Sequence, residues 1–178
     1  MPFGVATPTV PWPIDVVTLD YVFSGSVELA DQKWGWNYFQ VYGQRPAQTL
    51  DLRVAECRST AGLPAPGWVG TKASFTFHGG LVAVIPRGDA AVAVWEEWNG
   101  TSTGVPAVVL VGPYAVSGTV LSPDSTMGPP LLNHAFPVRD ATITRCDGRG
   151  DPTPIAAPRA IVGTAFVQAA AVAGPAPG

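Results

Sequence analysis

Histidines, cysteines and carboxylates are the side chains in this sequence that could carry catalysis or bind a metal, and they are few. The two histidines are His78, which precedes a Gly-Gly pair, and His134, which follows Asn133. A hydrolase triad needs a nucleophile, a base and an orienting group. Neither histidine lies in a Gly-x-Ser-x-Gly or His-Glu-x-x-His motif. We therefore expect no catalytic residues, and the chain is predicted not to be an enzyme.

The acidic residues form no catalytic or metal-binding pattern either. Glu96 and Glu97 are adjacent, so on a strand their side chains point to opposite faces and do not form a catalytic dyad. The stretch from Asp147 to Asp151 reads DGRGD, which lacks the spacing of an EF-hand and is typical of a solvated turn. The sequence thus predicts no metal and no cofactor.

The two cysteines, Cys57 and Cys146, each follow an alternating segment and precede a turn. Two thiols alone are a poor metal-binding set. They could form a disulfide between two halves of the chain, or each could pack as a small apolar side chain. We expect buried, reduced thiols, because intracellular proteins keep their cysteines reduced.

Aromatic residues give the strongest signal for binding. The segment from Asp31 to Arg45 is crowded with rings, and two further tryptophans lie near the middle of the chain. Such rings anchor protein interfaces, stack on sugars and also fill cores, so all three roles stay open. The predicted binding residues at an interface are Trp34, Trp36, Tyr38, Phe39, Tyr42, Trp95 and Trp98.

The elements that would position these groups are predicted to be β-strands. With 20 glycines and 19 prolines among 178 residues, long helices are disfavoured, because proline removes a backbone donor and clashes with the preceding turn. Period-two alternation predicts one long strand from Val17 to Leu29. Two more alternating sets predict further strands, namely Leu50, Leu52 and Val54, and then Ala73, Phe75 and Phe77.

An internal repeat organises these strands into two tandem related halves. Tyr21 to Val27 reads YVFSGSV, and Tyr114 to Val120 reads YAVSGTV. DLRVAEC, ending at Cys57, aligns with DATITRC, ending at Cys146. Further matches join Val69-Gly70-Thr71 to Val162-Gly163-Thr164, and Phe77 and Pro86 to Phe166 and Pro175. The repeat therefore indicates a duplicated β unit.

The repeat sets the predicted domain bounds. We expect an N-terminal arm at 1–14, a first β repeat at 15–86, a linker at 87–107, a second β repeat at 108–175 and a tail at 176–178. Gly25 and Gly118 lie mid-strand in the two halves, where glycine marks a bulge, a bend or a close approach of backbones. Such bends help small sheets to close. The predicted fold is an all-β barrel or sandwich whose halves either share one core or pack as a pair.

Composition limits the partners and the location. Charged residues are only 13% of the chain and the net charge is −3, so no basic surface for nucleic acid is predicted. The apolar runs are too short to insert in a membrane, and the first residues do not form a signal peptide. We expect a protein of the cytoplasm, or of a particle assembled inside the cell. Abundant Ala, Gly and Pro and a preference for Arg over Lys suggest a bacterial source with a GC-rich genome.

These observations predict a non-catalytic β module that acts through protein–protein contact. It would be an accessory or assembly subunit, or a homo-oligomer, since low charge and clustered rings favour a protein partner or self-association. The alternative is a β-barrel that binds a small molecule or a carbohydrate on an aromatic face.

The double substitution Trp34→Ala with Trp36→Ala separates these roles. We expect the variant to keep its melting temperature and to lose its assembly, because interface rings contribute to binding and not to the fold of the single chain. Melting temperature and sedimentation mass are measured together. Core rings would instead cost several kcal/mol of folding free energy, and a folded variant of unchanged mass would contradict the interface role.

Overall fold

Alternating apolar residues form ten β-strands in the computed structural model, which describes residues 10–29, 49–76, 79–88, 103–122, 126–132 and 135–172. One short helix, α1 (Gly128–Leu132), accompanies them in the described part of the chain. The strands are β1 Val10–Thr18, β2 Tyr21–Leu29, β3 Thr49–Ser59, β4 Lys72–Thr76, β5 Leu81–Pro86, β6 Thr103–Val111, β7 Tyr114–Ser122, β8 Ala135–Arg145, β9 Ile155–Gly163 and β10 Val167–Val172.

All ten strands belong to one antiparallel sheet, in the order β10-β6-β7-β8-β9-β5-β1-β2-β3-β4. The predicted long strand from Val17 to Leu29 is wrong, because the chain reverses at Leu19-Asp20 and β1 pairs with β2 as a hairpin. The alternating sets in β3 and β4 are confirmed. Leu50, Leu52 and Val54 are fully buried on β3, and Ala73 and Phe75 are buried on β4. Phe77 lies outside the described residues.

The sheet repeats one strand arrangement along its width. The first five strands lie in the order β5-β1-β2-β3-β4 and the last five in the order β10-β6-β7-β8-β9. Strands at the same place have the same length in four of the five cases, the exception being β4 with 5 residues against 9 in β9. The two sets join where β9 pairs with β5, at Ala83 opposite Val162 and Val84 opposite Ile161.

Two hydrophobic clusters form the interior. The β1–β4 core contains Trp12, Ile14, Phe23, Leu50, Leu52 and their buried neighbours. The β6–β9 core contains Val109, Tyr114, Val116, Phe136, Ile143 and others. Strand β5 is buried on both faces, with Val84 in the first core and Ala83 and Ile85 in the second. Because neighbouring residues of a strand point to opposite faces, the two cores lie on opposite sides of the sheet.

The predicted barrel or sandwich is corrected to a single open sheet. Within the described residues the end strands β4 and β10 have one neighbour each and do not pair with each other. A closed barrel curls round one interior on one face of its sheet. Here β5 supplies side chains to cores on both faces, so the sheet does not close round either core alone, and the halves do not share one core.

The mid-strand glycines are confirmed as sites of bulges and close approach. The register between β2 and β3 shifts at Ser24/Gly25, and that between β7 and β8 shifts between Ser117 and Thr119, which flank Gly118. A Cβ on Gly25 would lie 2.1 Å from the Arg53 carbonyl oxygen, and a Cβ on Gly118 would lie 2.8 Å from the Arg139 carbonyl oxygen. A larger residue does not fit at either position without movement of the backbone.

Two of the proposed sequence matches join residues in different structural positions. Cys57 lies within β3 opposite Phe23, whereas Cys146 follows the end of β8. Val69 to Thr71 precede β4, whereas Val162 and Gly163 end β9. Both cysteines are free, but Cys146 is exposed and Cys57 only half-buried, so their predicted burial is wrong. The Phe77/Pro175 end of the remaining match lies outside the described residues.

Strands extend into the segments predicted as arm and linker. Strand β1 begins at Val10, and Trp12 within it is only 3% exposed. Strand β6 begins at Thr103. In the described part of the chain, no helix has the length and apolar character needed to cross a membrane.

Replacement of Gly25 by alanine tests the close approach in β2. We expect Gly25→Ala to lower the free energy of unfolding by about 1–3 kcal/mol, the usual cost of overpacking, because its Cβ would meet the Arg53 carbonyl oxygen. Gly67→Ala is the matched control, since a Cβ there has nothing within 4 Å. Urea unfolding measures both variants, and equal stabilities would contradict the tight packing at Gly25.

Candidate functional site

The seven predicted interface residues lie outside the described residues. These are Trp34, Trp36, Tyr38, Phe39, Tyr42, Trp95 and Trp98. The histidines His78 and His134 also lie outside, as do Glu96 and Glu97. Among the residues that are described, no three His, Cys, Asp or Glu side chains come close enough together to hold a metal ion.

The described residues form an aromatic recess at one end of the β1–β4 core. It has a volume of about 360 Å³ and is lined by Tyr21, Phe23, Trp68 and Phe75, with Ser74 and Thr76 on β4. The Trp68 ring stacks on the Phe23 ring at a centroid distance of 5.3 Å, and Phe75 lies 5.1 Å from Phe23. Trp68 is 45% exposed, while Phe23 is 3% exposed. The recess therefore has a buried aromatic floor and one exposed ring at its rim.

Backbone hydrogen bonds hold Trp68 over this recess. Its carbonyl oxygen accepts from the Thr71 amide at 2.9 Å and from the Thr71 hydroxyl at 2.6 Å. The Gly70 amide ties the same turn to β3 by donating to the Val54 carbonyl at 2.8 Å. The Tyr21 hydroxyl donates to the Pro64 carbonyl at 3.0 Å. The β3–β4 loop is thus anchored at both ends, which orients the indole.

A buried arginine links the two halves of the sheet. The Arg145 side chain is 3% exposed and donates two hydrogen bonds to Asp147, at 2.8 and 2.7 Å. It also donates to the Leu19 carbonyl at 2.7 Å and to the Thr60 hydroxyl at 3.2 Å. Leu19 and Thr60 belong to the first five strands and their loops, so this Arg145 clamp crosses from one half to the other.

Tyr114 completes the clamp. Its hydroxyl lies 2.6 Å from the Thr60 hydroxyl, and the Arg145 guanidinium lies 5.5 Å from the centre of its ring. Burial raises the pKa of the Tyr114 hydroxyl. The hydrogen bonds from Arg145 lower the pKa of Asp147. The raised pKa keeps the Tyr114 phenol protonated near neutral pH, and the lowered pKa keeps Asp147 charged beside Arg145, which suits a structural tie and not proton transfer.

A second groove crosses the outer face of the first half. It has a volume of about 490 Å³ and passes over Gly25, with Ser24, Ser26 and Arg53 on its sides. Arg87 forms an ion pair with Asp15 there, and the Arg87 amide donates to the Pro13 carbonyl at 2.9 Å. The charges of Arg87 and Asp15 satisfy each other, so the exposed Arg53 guanidinium is the remaining charge in the lining of the groove.

The ends of the sheet expose backbone and apolar side chains. Residues 168–172 of β10 are exposed on both faces, and Val172 is 55% exposed. Beside it on β6, Val108 is 40% and Leu110 is 38% exposed. At the other end, Lys72 and Ser74 of β4 are exposed. An unpaired strand edge is a template for another strand.

Sequence reasoning missed the recess and the clamp. Trp68 carried a signal, as one of six tryptophans, but nothing local showed that Phe23 and Phe75 would lie beside it. Arg145 carried no signal, because its partners Leu19 and Thr60 are far away in the chain. Comparison of the chain with protein-family models, with curated proteins and with solved structures finds no match.

Removal of the clamp arginine should destabilise the fold. We expect Arg145→Met to cost about 1.5–3 kcal/mol, the range for hydrogen bonds to charged groups. The pKa of Asp147 is lowered in the folded chain, so its contribution is present above its ordinary pKa of 3.8 and is lost as the pH falls through the lowered value. This acid-dependent part of the stability should disappear in Arg145→Met.

Urea unfolding at neutral pH and under acid conditions measures both effects. Arg139→Met is the matched control on the same strand, because Arg139 pairs with Asp140 at 3.8 Å on the surface and such pairs contribute little. Equal losses in the two variants, or an unchanged acid dependence in Arg145→Met, would contradict the clamp.

Proposed function

We propose that this chain is a non-catalytic β module that acts through protein–protein contact, as an accessory or assembly subunit or as a homo-oligomer. We further propose that its two five-strand halves arose by duplication. The observation that carries the first proposal is the exposed apolar edge formed by β10 and β6.

Matching registers support the duplication. Tyr21 and Tyr114 each open the second strand of a hairpin, and the residue after each tyrosine lies in a matching pair, Val17–Val22 in the first hairpin and Leu110–Ala115 in the second. Strand β5 meets β1 with a bulge after Leu81, and β10 meets β6 with a bulge after Val167. The bulges beside Gly25 and Gly118 likewise match. A shared strand order alone does not require these two bulges to lie at the same places in both halves.

The exposed edge supports protein contact. Strand β5 has every residue buried, because β9 pairs with it and the β6–β9 core packs on it. Strand β10 holds the same place on β6, yet its residues are mostly exposed. Its sequence, VQAAAV, carries no charge that would repel another strand. Natural sheets usually protect such an edge with charge, proline or a cover. Within the residues that the structure describes, β10 has none of these, which favours a partner.

The ionic chemistry of the described residues also favours contact over catalysis. Asp15 pairs with Arg87, Asp51 with Lys72 and Asp147 with Arg145. These carboxylates serve structural ion pairs, and a general acid or base instead needs a pKa raised or lowered toward the working pH.

Binding of a small molecule or a carbohydrate is the alternative function. The aromatic recess favours it, because a partly exposed indole above a buried aromatic floor can stack on an apolar ligand face. Saturable quenching of Trp68 emission by a sugar or a small aromatic compound, lost in Trp68→Ala, would favour this alternative over protein contact.

The free cysteines and the net charge bear on where this protein works. We propose a bacterial protein that works in the cytoplasm, or in a particle assembled inside the cell, without binding nucleic acid. The free thiols of Cys57 and Cys146 support a reducing compartment, and the net charge of −3 gives nucleic acid no attraction.

The substitution Leu110→Lys tests protein contact through the exposed edge. We expect this variant to keep its fold, because Leu110 is 38% exposed. Its affinity for the protein that the wild-type chain binds, whether another protein or a second copy, should fall at least tenfold. Sedimentation velocity over a range of concentrations measures self-association. Purified proteins that co-purify from the native source are then tested for direct binding.

Leu132→Lys is the matched control, because Leu132 is 87% exposed on α1, away from β6 and β10. It should leave both kinds of binding unchanged. Protein contact through this edge is contradicted by either of two results. One is that the wild-type chain binds neither itself nor any purified protein. The other is that it binds, but that Leu110→Lys leaves the binding unchanged.

A further inference from the structure

The joint between the two halves contains a docking surface that the second half repeats without a cover. At this joint, outward-facing side chains of the first half enter the β6–β9 core. They are Val17 on β1, Val22 on β2, and Val82, Ala83 and Ile85 on β5. All five are at most 2% exposed. The first half thus presents an apolar outer face on which the second half packs.

Four of the five matching places on the second half hold apolar residues that are not buried, and the place of Val82 is held by the exposed Gln168. Leu110 and Ala115 form the pair that matches Val17 and Val22. Ala169 lies opposite Leu110 as Ala83 lies opposite Val17, and Ala171 follows as Ile85 does. Leu110, Ala169 and Ala171 are exposed, and Ala115 is half-buried. The surface that is covered once inside the chain is therefore present a second time and open.

The receiving surface is also present twice. At the joint, Val162 and Ile161 of β9 pair with Ala83 and Val84. Phe75 takes the place of Val162, since Phe75 lies opposite Leu50 on β3 as Val162 lies opposite Phe136 on β8. Ser74 then takes the place of Ile161. Both belong to β4, which is the open edge at the far end of the sheet.

The aromatic recess is the part of this receiving surface that stays unfilled. Tyr114 packs in one cluster with Val17, Val22 and Leu19 from the other half and is 1% exposed. Tyr21 holds the matching place on β2 but borders the 360 Å³ recess. Among the described residues, no side chains cover Tyr21 in the way that Val17, Val22 and Leu19 cover Tyr114.

We propose, as a deepening of the protein-contact function, that a second copy of this chain fills the recess and completes the sheet. Strand β10 of one copy pairs antiparallel with β4 of the next, with Ala169 opposite Phe75 and Ala170 opposite Ser74. Leu110 and Ala115 then cover the aromatic recess. The contact joins two different surfaces, so copies associate head to tail in a ring or a filament.

The backbone groups needed for this pairing point outward. The Val54 amide donates to the Thr71 carbonyl, so by the alternation of an antiparallel ladder Ala73 and Phe75 bond to β3 and Ser74 faces the open edge. The Gly112 amide donates to the Phe166 carbonyl, which by the same alternation leaves Ala170 facing outward from β10. Ser74 and Ala170 are thus the pair whose amides would bond across the contact.

One difference makes the contact between copies weaker than the internal joint. The place of Arg145 on β8 is held by Ser59 on β3, since Arg145 lies opposite Tyr114 and Ser59 opposite Tyr21. The place of Asp20 in the first turn is held by Pro113 in the second. The Arg145 clamp is therefore not repeated, and association should depend on concentration.

Two edge-blocking variants test the proposal. Ser74→Pro removes the outward amide of β4, and Ala170→Pro removes that of β10, at edge positions where proline is tolerated. Wild type should form species larger than a dimer as its concentration rises. Each variant alone should stay at the monomer mass of 18.5 kDa, because it keeps only one of the two surfaces.

The mixture of the two variants decides the geometry. Ser74→Pro retains β10 and Ala170→Pro retains β4, so an equimolar mixture should form a dimer of twice the monomer mass and nothing larger. Such a dimer would also show that both variants are folded. Sedimentation velocity measures the masses, and Trp68 emission should shift in the mixture as the recess is covered.

Several results would overturn the proposal. If Ser74→Pro dimerises alone while Ala170→Pro does not, β10 pairs with itself. A mixture that stays monomeric while wild type assembles would exclude head-to-tail pairing through these edges. A wild-type chain that is monomeric at every concentration would exclude self-assembly, while protein contact would still stand if a purified partner binds in a way that depends on Leu110.

Discussion

Strand β5 has no face that meets water, and the rest of the sheet depends on this burial. It pairs with β1 on one side and β9 on the other, and its alternate side chains enter two cores. Burial of six residues, LVAVIP, on both faces needs an apolar run and not an alternating one. Since each core borrows side chains from this strand, neither half encloses its interior by itself. The two halves are therefore expected to fold as one unit.

The Arg145 clamp adds direction to this apolar joint. Apolar burial is not directional, and β5 and β9 share only two register pairs. Arg145 bonds to Leu19 and Thr60 in the first half while Asp147 holds it from the second. Hydrogen bonds are directional, so a buried guanidinium that donates to fixed acceptors can specify one arrangement among several. The clamp thus accounts for a fixed placement of the halves that packing alone leaves open.

A joint of this kind leaves matching surfaces at the ends of the sheet. The second half pairs by its β9 edge with the β5 edge of the first half. Each half therefore keeps one edge strand that is not paired in this joint. Here those surfaces are the β4 edge with its aromatic recess and the β10 edge with its exposed apolar neighbours. The proposed assembly needs no new kind of contact, because it reuses the register of the internal joint.

The sequence by itself determined the all-β class and several individual strands. Period-two alternation requires only local order, so Leu50, Leu52 and Val54 identify β3 and its buried face without a tertiary structure. The glycines Gly25 and Gly118 were recognisable for the same reason, since a missing side chain in a strand implies close approach. The YVFSGSV and YAVSGTV segments were recognisable as a repeated strand motif, and each is the start of a strand in the structure.

Tertiary structure alone decided how these strands combine. The alternation of Val17 to Leu29 continues across the tight turn at Leu19-Asp20, so the pattern hid a hairpin. The cysteine match failed because Cys57 lies within β3, two residues before Ser59, whereas Cys146 follows Arg145, which holds the place of Ser59 on β8. Contacts between residues far apart in the chain decide whether the sheet closes and which of its faces become cores. They also decide which residues Arg145 bonds to. Such contacts leave no local pattern, because the chain between them determines only their separation and not their pairing.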